Sequence, residues 1–386
     1  MSFTVKRLNS LDSVSSGQWN RLSDGDNPFL LYDYLHGLEK YDCLNDQGWI
    51  PCHFTVYSGD VLAGAIRLYL KTNSYGEFVF DWAWADAYER AGGKYYPKLV
   101  STIPYAPVIG PRLLVNSGFD RQPEIKSLLT ATVLEFIESS GISSFHALFI
   151  EEPDQRYFAD EGLLKRLTCQ FHWLNRDYRD FQDFLDVMTS KKRKQIKRER
   201  KQVRDNRVDI EVLSGDRISE QQWQAFYQFY CSTFYRRWGS PRLTLDFFRS
   251  LSKTMPDRTL LILARHGKDY VAGSFSMLGG GTLFGRHWGC SEHYPYLHFE
   301  LCYYQTIEFC IANGLNRVDA GVQGEHKLSR GFSPVGAVSY HWLRHAGFRD
   351  AVRAYLDRET PEIQWHIECL MKHLPYKNGI PHDNRS

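Results

Sequence analysis

The sequence predicts an α/β protein that contains the same structural unit twice, and three observations lead to this prediction. The segments VLEFIESSGISSFHALF (133–149) and TIEFCIANGLNRVDAGV (306–322) carry Glu, Phe, Gly and Ala at matching places. Upstream, the apolar segments DVLAGAIRLYL (60–70) and DYVAGSFSMLG (269–279) share a central glycine. The chain of 386 residues is also longer than one ordinary core requires. Each half is therefore predicted to run from strand through loop and helix to a helix-ending glycine and another strand.

Two domains follow from this repeat. We predict a first unit over residues 1–175 and a second over residues 176–386. The second unit is expected to begin with a basic helix and to end with a C-terminal helix near residues 347–373. Because a duplicated unit has two equivalent faces, a substrate cleft between the copies is the default expectation.

Composition narrows the class of protein. A hydrophobic content of 43% with 24% charged residues is typical of a soluble globular chain. A net charge of +2 argues against a surface coated for nucleic acid. Neither a signal-like N-terminal stretch nor a run of about 18 apolar residues is present. The eight cysteines form no CxxC pair, so we predict reduced thiols and a cytoplasmic protein.

The first half opens with a helix and a pair of strands. Pro28 begins PFLLYDYLHGLEKYDC, which has helical apolar spacing. The strands WIPCHFTVY and VLAGAIRLYL flank a turn at residues 58–60. Residues 123–140 form a helix that stops at Gly141, and a buried strand follows.

An aromatic insertion at residues 74–112 distinguishes the first half from the second. It contains FDWAWADAY, in which two aspartates flank two tryptophans. If this segment is extended, Asp81 and Trp82 lie on opposite sides. Carboxylates framed by indole rings can hold a cationic amine by charge and cation–π contact. We therefore expect an acceptor-binding loop here, with a packed aromatic loop as the alternative. The candidate residues are Asp81, Trp82, Trp84 and Asp86.

A strongly basic helix is predicted at residues 189–208. From Lys191 to Arg207 it carries ten Lys or Arg residues and two acidic ones. This imbalance favours an anionic partner, which could be a cofactor phosphate, a nucleic acid or a lipid headgroup. The alternative is a solvated helix face.

Two polar segments of the second half are candidates for chemistry. GVQGEHKLSRGF (321–332) follows a predicted buried strand, a usual ligand position in α/β units. There Lys327 and Arg330 are expected to bind phosphate, and Glu325 or His326 to accept a proton. The alternative is a surface loop with a salt bridge. Gln323 completes this cluster.

The segment RHWGCSEHYPYLHFELCYYQ (286–305) is predicted to be a loop that enters a helix near Leu297. Glu300 falls in the first helical turn, where the helix dipole stabilises a carboxylate. The N-terminus of this helix could equally bind an anionic ligand. No HExxH-like spacing supports a metal, so none is expected. The candidate substrate-binding residues of this segment are Arg286, His298 and Tyr304.

The strings FDWAWADAY, YYPKL, PVIGPRLL, LHFELCYYQ and GVQGEHKLSRGFSP resemble the FemAB-like proteins of the GNAT superfamily. The resemblance extends from about Pro28 to the last helix. It implies two tandem GNAT-like units, each with a mixed, mostly antiparallel sheet flanked by helices, around a shared cleft. It also implies cell-wall biogenesis, with transfer of an amino acid from aminoacyl-tRNA to a peptidoglycan precursor. Phosphate-binding roles are implied for Lys191, Arg193 and the neighbouring Lys194, and for Lys327 and Arg330.

The prediction is an acyl- or aminoacyltransferase in which an acceptor amine attacks an activated carbonyl directly. The expected base is Glu300, followed by Glu325 or His326. The donor stays open between acyl-CoA and aminoacyl-tRNA, because the GNAT pyrophosphate signature is unclear and the long helical-hairpin arm of many tRNA-using members has no room. The acceptor is a small molecule or a peptidoglycan precursor. The alternatives are a non-catalytic module that binds a peptidoglycan-like or other anionic ligand, and a tRNA-binding protein.

Overall fold

The computed structural model describes residues 2–236 and 239–377, and these form two compact units. The first unit contains residues up to 169 together with 336–366, and the second contains 170–335 with the residues after 366. The expected division had placed the whole C-terminal part in the second unit. It differs because the strand after Gly336 pairs within the first unit, opposite His146 and its neighbours. Residues 378–386, expected in the second unit, lie outside the described part.

The elements of the first part of the chain follow the predicted order. Its strands are β1 (Phe3–Leu8), β2 (Trp49–Pro51), β3 (His53–Ser58), β4 (Val61–Ile66), β5 (Tyr69–Lys71), β6 (Lys98–Ser101), β7 (Leu113–Val115), β8 (Ser144–Ile150) and β9 (Leu164–Leu174). Its helices are α1 (Ser16–Asn20), α2 (Tyr32–Lys40), α3 (Trp82–Arg90), α4 (Gln122–Ser140) and α5 (Glu152–Asp160).

The rest of the chain contains the predicted basic helix, which is α7. The strands are β10 (Val208–Ser214), β11 (Thr259–His266), β12 (Asp269–Gly279), β13 (Thr282–Cys290), β14 (Arg317–Asp319) and β15 (Ser333–Leu343). The helices are α6 (Phe181–Asp186), α7 (Ser190–Asp205), α8 (Glu220–Tyr235), α9 (Leu245–Thr254), α10 (Leu297–Phe299), a π-helical turn (Glu300–Tyr304), α11 (Gln305–Ala312) and α12 (Ala346–Met371). No helix in the described ranges is long and apolar enough to cross a bilayer.

In the first unit, β1, β3, β4 and β7 form an antiparallel sheet. A second set of strands runs in the order β15, β8, β6, β5 and β2, with β8 and β6 parallel. Helix α4 packs against the first sheet so closely that a Cβ at Gly64 would lie 2.5 Å from the side chain of Ile125. This contact explains the central glycine of the first repeat.

In the second unit, β10, β11, β12 and β13 form an antiparallel meander, and β14 pairs with β13 in parallel. The end of β9 pairs with β14. Gly273 is the counterpart of the first-unit glycine, since a Cβ there would lie 2.8 Å from Leu263 and 3.1 Å from Phe226 of α8.

The duplicated order predicted from the sequence is confirmed. In each unit a helix ends near a glycine of positive φ and leads to a strand that lies parallel to an earlier one. These glycines are Gly141, with φ +77° after α4, and Gly314, with φ +63° after α11. The parallel pairs are β6 with β8 and β13 with β14.

Two local predictions were wrong. Trp82–Arg90 is a helix, so FDWAWADAY is not extended. Its aromatic residues alternate like those of a strand, but Trp84, Ala85 and Tyr88 share a helical face that packs into the core. Arg286 belongs to strand β13 instead of a loop, because the apolar run before it continues the meander.

Candidate active site in the second unit

A cavity of about 450 Å³ opens where β13 ends and α10 begins. Its lining residues lie within residues 288–299, at the end of β13, in the connection that follows and in α10. Tyr296 turns this connection with φ +64°, and α10 starts at the next residue. The lining is mostly aromatic, with histidines among the rings. It consists of Trp288, Cys290, Glu292, His293, Tyr294, Pro295, Tyr296, Leu297, His298 and Phe299.

His298 lines this cavity, and His326 lies next to His298 and Phe299 without lining the cavity itself. The Nε2 atom of His326 is 2.9 Å from the hydroxyl of Tyr303, and the His298 ring centroid is 6.0 Å from that of His326. Burial, aided by His326, Arg330 and Lys327, lowers the pKa of His298 to about 4. His326 is solvent-exposed in part, and partial desolvation together with the same two cations also lowers its pKa. Both imidazoles are therefore neutral at pH 7 and able to accept a proton.

Lys327 and Arg330 hold the polar loop to the rest of the unit. The Lys327 ammonium donates to the carbonyl of Ala320 over 2.6 Å. The Arg330 guanidinium donates to both carboxylate oxygens of Glu199 at 3.1 and 3.0 Å, and it lies 3.4 Å from the centroid of the Phe299 ring. Both side chains are buried. Both side chains that were predicted to bind phosphate are thus bound to groups of the protein itself. This agrees with the alternative interpretation, in which the segment forms a salt bridge.

Glu300 is also engaged. It is buried in the π-helical turn and accepts from Arg200 at 3.1 Å and from the side-chain amide of Gln305 at 2.8 Å. Tyr304, on the same turn, donates to Glu199. This arrangement gives both side chains a role in joining α7 to the helix beside the cavity.

The other predicted residues of the second unit are distributed around this core. Arg286 pairs with buried Asp319 at 3.1 Å. Arg193 pairs with Asp186 at 3.2 Å. The exposed residues are Lys191, Lys194, Gln323, Glu325 and His326.

The sequence profile of the FemAB-like family, described as peptidoglycan biosynthesis/recognition, matches residues 10–378. The chain belongs to the FemAB-like family. This FemAB-like chain has no match among curated protein sequences.

Solved structures share the tandem fold with this FemAB-like chain at low sequence identity. The crystal structure of FemX has a TM-score of 0.53 and 9% identity, covering 90% of this chain and 100% of that one. The C-terminal domain assigned to a lysylphosphatidylglycerol synthetase from Agrobacterium fabrum has a TM-score of 0.50 and 8% identity, covering 89% and 95%. A tandem GNAT protein from the clavulanic acid pathway has a TM-score of 0.46 and 12% identity, covering 89% and 98%. The fold is mixed α/β, and its two units repeat the same order of helix, glycine and parallel strand.

The predicted acceptor loop of the first unit contains an internal cation. Asp81 is buried and accepts from the Lys98 ammonium at 2.6 Å and from the Tyr95 hydroxyl at 2.7 Å. Asp81 was predicted to bind the ammonium group of an acceptor, and in the structure it binds the ammonium group of Lys98 instead. Trp84 is buried, Trp82 is exposed, and Asp86 is an exposed partner of Arg90.

Sequence reasoning missed the rest of this buried cluster. Glu77 accepts from Lys98 at 2.8 Å, and the Nδ1 atoms of His146 and His341 are 2.7 Å apart. Because these residues are far apart in sequence, the only available signal was the unusual occurrence of polar residues within apolar strands.

The buried histidine pair predicts a pH-dependent stability. Burial lowers the pKa of His146 to about 3, and burial with the neighbouring His146 lowers the pKa of His341 well below its ordinary value. Below about pH 6.5 the unfolded chain binds protons that the folded pair does not, so the free energy of unfolding decreases as pH falls. His341→Gln should remove about one of these protons. The slope of the unfolding free energy against pH should then decrease by roughly 1.4 kcal/mol per pH unit.

Urea unfolding at several pH values between 4.5 and 7.5 measures this slope. Exposed His345 provides the control, since His345→Gln should leave the slope unchanged. Glu77 acts in the opposite direction, because burial raises its pKa to about 7, but its contribution is common to both variants. Equal slopes for His341→Gln and the unmutated protein would contradict the prediction.

Proposed function

We propose that this FemAB-like chain is an acyl- or aminoacyltransferase whose reaction takes place at the cavity of the second unit. The observation that supports this most directly is the pair of neutral imidazoles, His298 and His326, beside a helix start. A neutral base and unpaired backbone N–H groups are what amine acylation requires.

In the proposed reaction, His326 accepts a proton from the acceptor ammonium. The free amine then attacks the donor carbonyl carbon, and the carbonyl π electrons move to oxygen. The first N–H groups of α10, at His298 and Phe299, would donate to this oxyanion because helix-start amides lack intrahelical acceptors. Collapse of the intermediate restores the carbonyl, forms the amide and expels the CoA thiolate or the tRNA ribose oxygen. The leaving group takes up the second proton that the attacking nitrogen loses as the amide forms.

His326 is preferred to Glu300 as the base. Both residues were candidates, but Arg200 and Gln305 already donate to the Glu300 carboxylate. The His326 side chain is exposed, and its Nε2 atom contacts the Tyr303 hydroxyl. Glu325 is exposed beside it and stays a further candidate.

The outer face of α7 supports a polyanionic donor. The helix buries Ile196, Glu199 and Val203, and this leaves a row of cations on its opposite side. Among the described residues, only Lys201 of this row has an acidic partner, Asp205 at 3.9 Å. Aminoacyl-tRNA fits such a row better than CoA does, because it presents many phosphates along one surface. The row consists of Lys191, Lys194, Lys197, Arg198, Lys201 and Arg204.

Neutralising part of this row tests the donor. Replacing Lys191, Lys194 and Lys197 by Gln should weaken tRNA binding and lower the slope of log affinity against log salt by about two. Fluorescence anisotropy with labelled tRNA measures both quantities. A control triple variant carries Gln at three exposed lysines elsewhere and should bind as the parent does. The control positions are Lys253, Lys268 and Lys372.

If tRNA does not bind but an acyl-CoA does, the donor is a thioester. The family description supports a peptidoglycan precursor as the acceptor. A transfer assay with radiolabelled aminoacyl-tRNA or acyl-CoA and a cell-wall precursor decides between enzyme and binding module. Formation of an acylated acceptor is expected, whereas precursor binding without product would establish the binding module.

A further inference from the structure

Four cationic side chains of the first unit have no exposed surface, and three of them are fully engaged by the chain. The Arg112 guanidinium donates to four backbone carbonyls, including those of Val108 and Leu148 at 2.7 Å. Lys71 donates to two backbone carbonyls and an amide oxygen. Lys98 binds two carboxylates. The fourth cation, Arg67, differs from all of them.

Arg67 makes one weak contact, from Nη1 to the carbonyl of Thr102 at 3.4 Å. Its Nε and Nη2 atoms are buried and have no hydrogen-bond partner in the described chain. Burial lowers the pKa of Arg67 to about 10, so the guanidinium is still charged at neutral pH. Tyr69 is an electrostatic neighbour of Arg67, and the charge of Arg67 in turn acts on the second buried guanidinium, that of Arg112. A buried charge without a counter-ion costs several kcal/mol.

The two unpartnered atoms of Arg67, Nε and Nη2, form one edge of the guanidinium. Nε and Nη2 lie on the same side of the planar guanidinium, and their N–H bonds point in parallel. This edge matches two oxygens of a carboxylate or phosphate, the bidentate arrangement that arginine favours. The hydroxyls of Tyr69 and Thr102 are also buried without a partner. The Thr102 carbonyl contacts Nη1, so this residue lies near the guanidinium, and Tyr69 is close enough to Arg67 to interact with it electrostatically.

We propose that Arg67 and the hydroxyls of Tyr69 and Thr102 form a binding site in the first unit for a small oxyanion group, a carboxylate or a phosphate. The anion neutralises the guanidinium and accepts its two parallel N–H bonds. The site lies outside the cavity of the second unit and does not depend on the proposed transfer reaction.

Thermal unfolding in sodium acetate, sodium phosphate and sodium chloride at constant ionic strength tests the site. The unfolding temperature of the protein should rise with acetate or phosphate concentration beyond its value in chloride. Arg67→Met keeps the length of the side chain and removes the charge. In this variant acetate should give no rise beyond chloride, and phosphate should give only the non-specific rise that an excluded salt gives any protein. In chloride the variant should unfold at or above the parent temperature. Which anion gives the larger rise identifies the chemistry.

Two further measurements keep the proposal testable if Arg67→Met does not fold. Tyr69→Phe removes one hydroxyl donor and should weaken binding a few-fold, while Arg67→Lys, which lacks the parallel pair, should weaken it about ten-fold or more. A crystal soaked in selenate should show anomalous density within hydrogen-bonding distance of Nε and Nη2. Equal stabilisation of the parent and Arg67→Lys, or ordered water in place of selenate, would overturn the proposal.

Discussion

Replacing His326 by Gln should lower the turnover number about a hundred-fold or more and change donor and acceptor affinity little. The reason is that the side chain is expected to accept the ammonium proton in the rate-limiting attack, while the cavity is lined by other residues. Single-turnover kinetics with saturating substrates measures the chemical step directly, and equilibrium binding measures affinity separately.

The pH profile distinguishes a base from a structural residue. Partial desolvation and the nearby Arg330 and Lys327 lower the pKa of His326. The rate of the unmutated protein should therefore rise with pH through a midpoint below 6.5. This limb should disappear in His326→Gln. The exposed His345→Gln should retain both the rate and the limb. If Glu300→Gln instead abolishes the limb while His326→Gln keeps it, Glu300 is the base.

Replacing Glu199 by Ala should reduce the free energy of unfolding by about 3–5 kcal/mol. Glu199 is buried on α7, where it accepts from Arg330, from the Tyr304 hydroxyl and from Gln195 at 2.9 Å. Its removal leaves the buried Arg330 without a carboxylate partner. A buried charge without such a partner destabilises the folded state. Urea denaturation with a constant m-value measures the loss.

The same helix supplies a matched control. Asp205 is the other acidic residue of α7 and is exposed, so Asp205→Ala should change stability by about 0.5 kcal/mol or less. The double variant Glu199→Leu with Arg330→Met should recover part of the loss, because it removes both charges together. If Glu199→Ala is as stable as Asp205→Ala, the buried pair does not anchor the helix.

Much of the architecture could be predicted because it depends on local sequence patterns. The repeat predicted the order of strands and helices in both units, and helix α7 was evident from its composition. The start of α10 at Leu297 was also predicted, as was the helix end at Gly141. Each of these depends on residues close together in the chain, where periodicity, charge and glycine act directly on backbone conformation.

The sequence by itself determined this duplicated framework and the candidate polar segments. Only the tertiary structure decided which charges are buried and paired. Glu199 and Arg330 are 131 positions apart, and Lys98 is 17 positions from Asp81. The cost of burying a charge depends on the neighbours that folding brings to it. A basic side chain that is a ligand site when exposed is therefore a structural anchor when a distant carboxylate meets it.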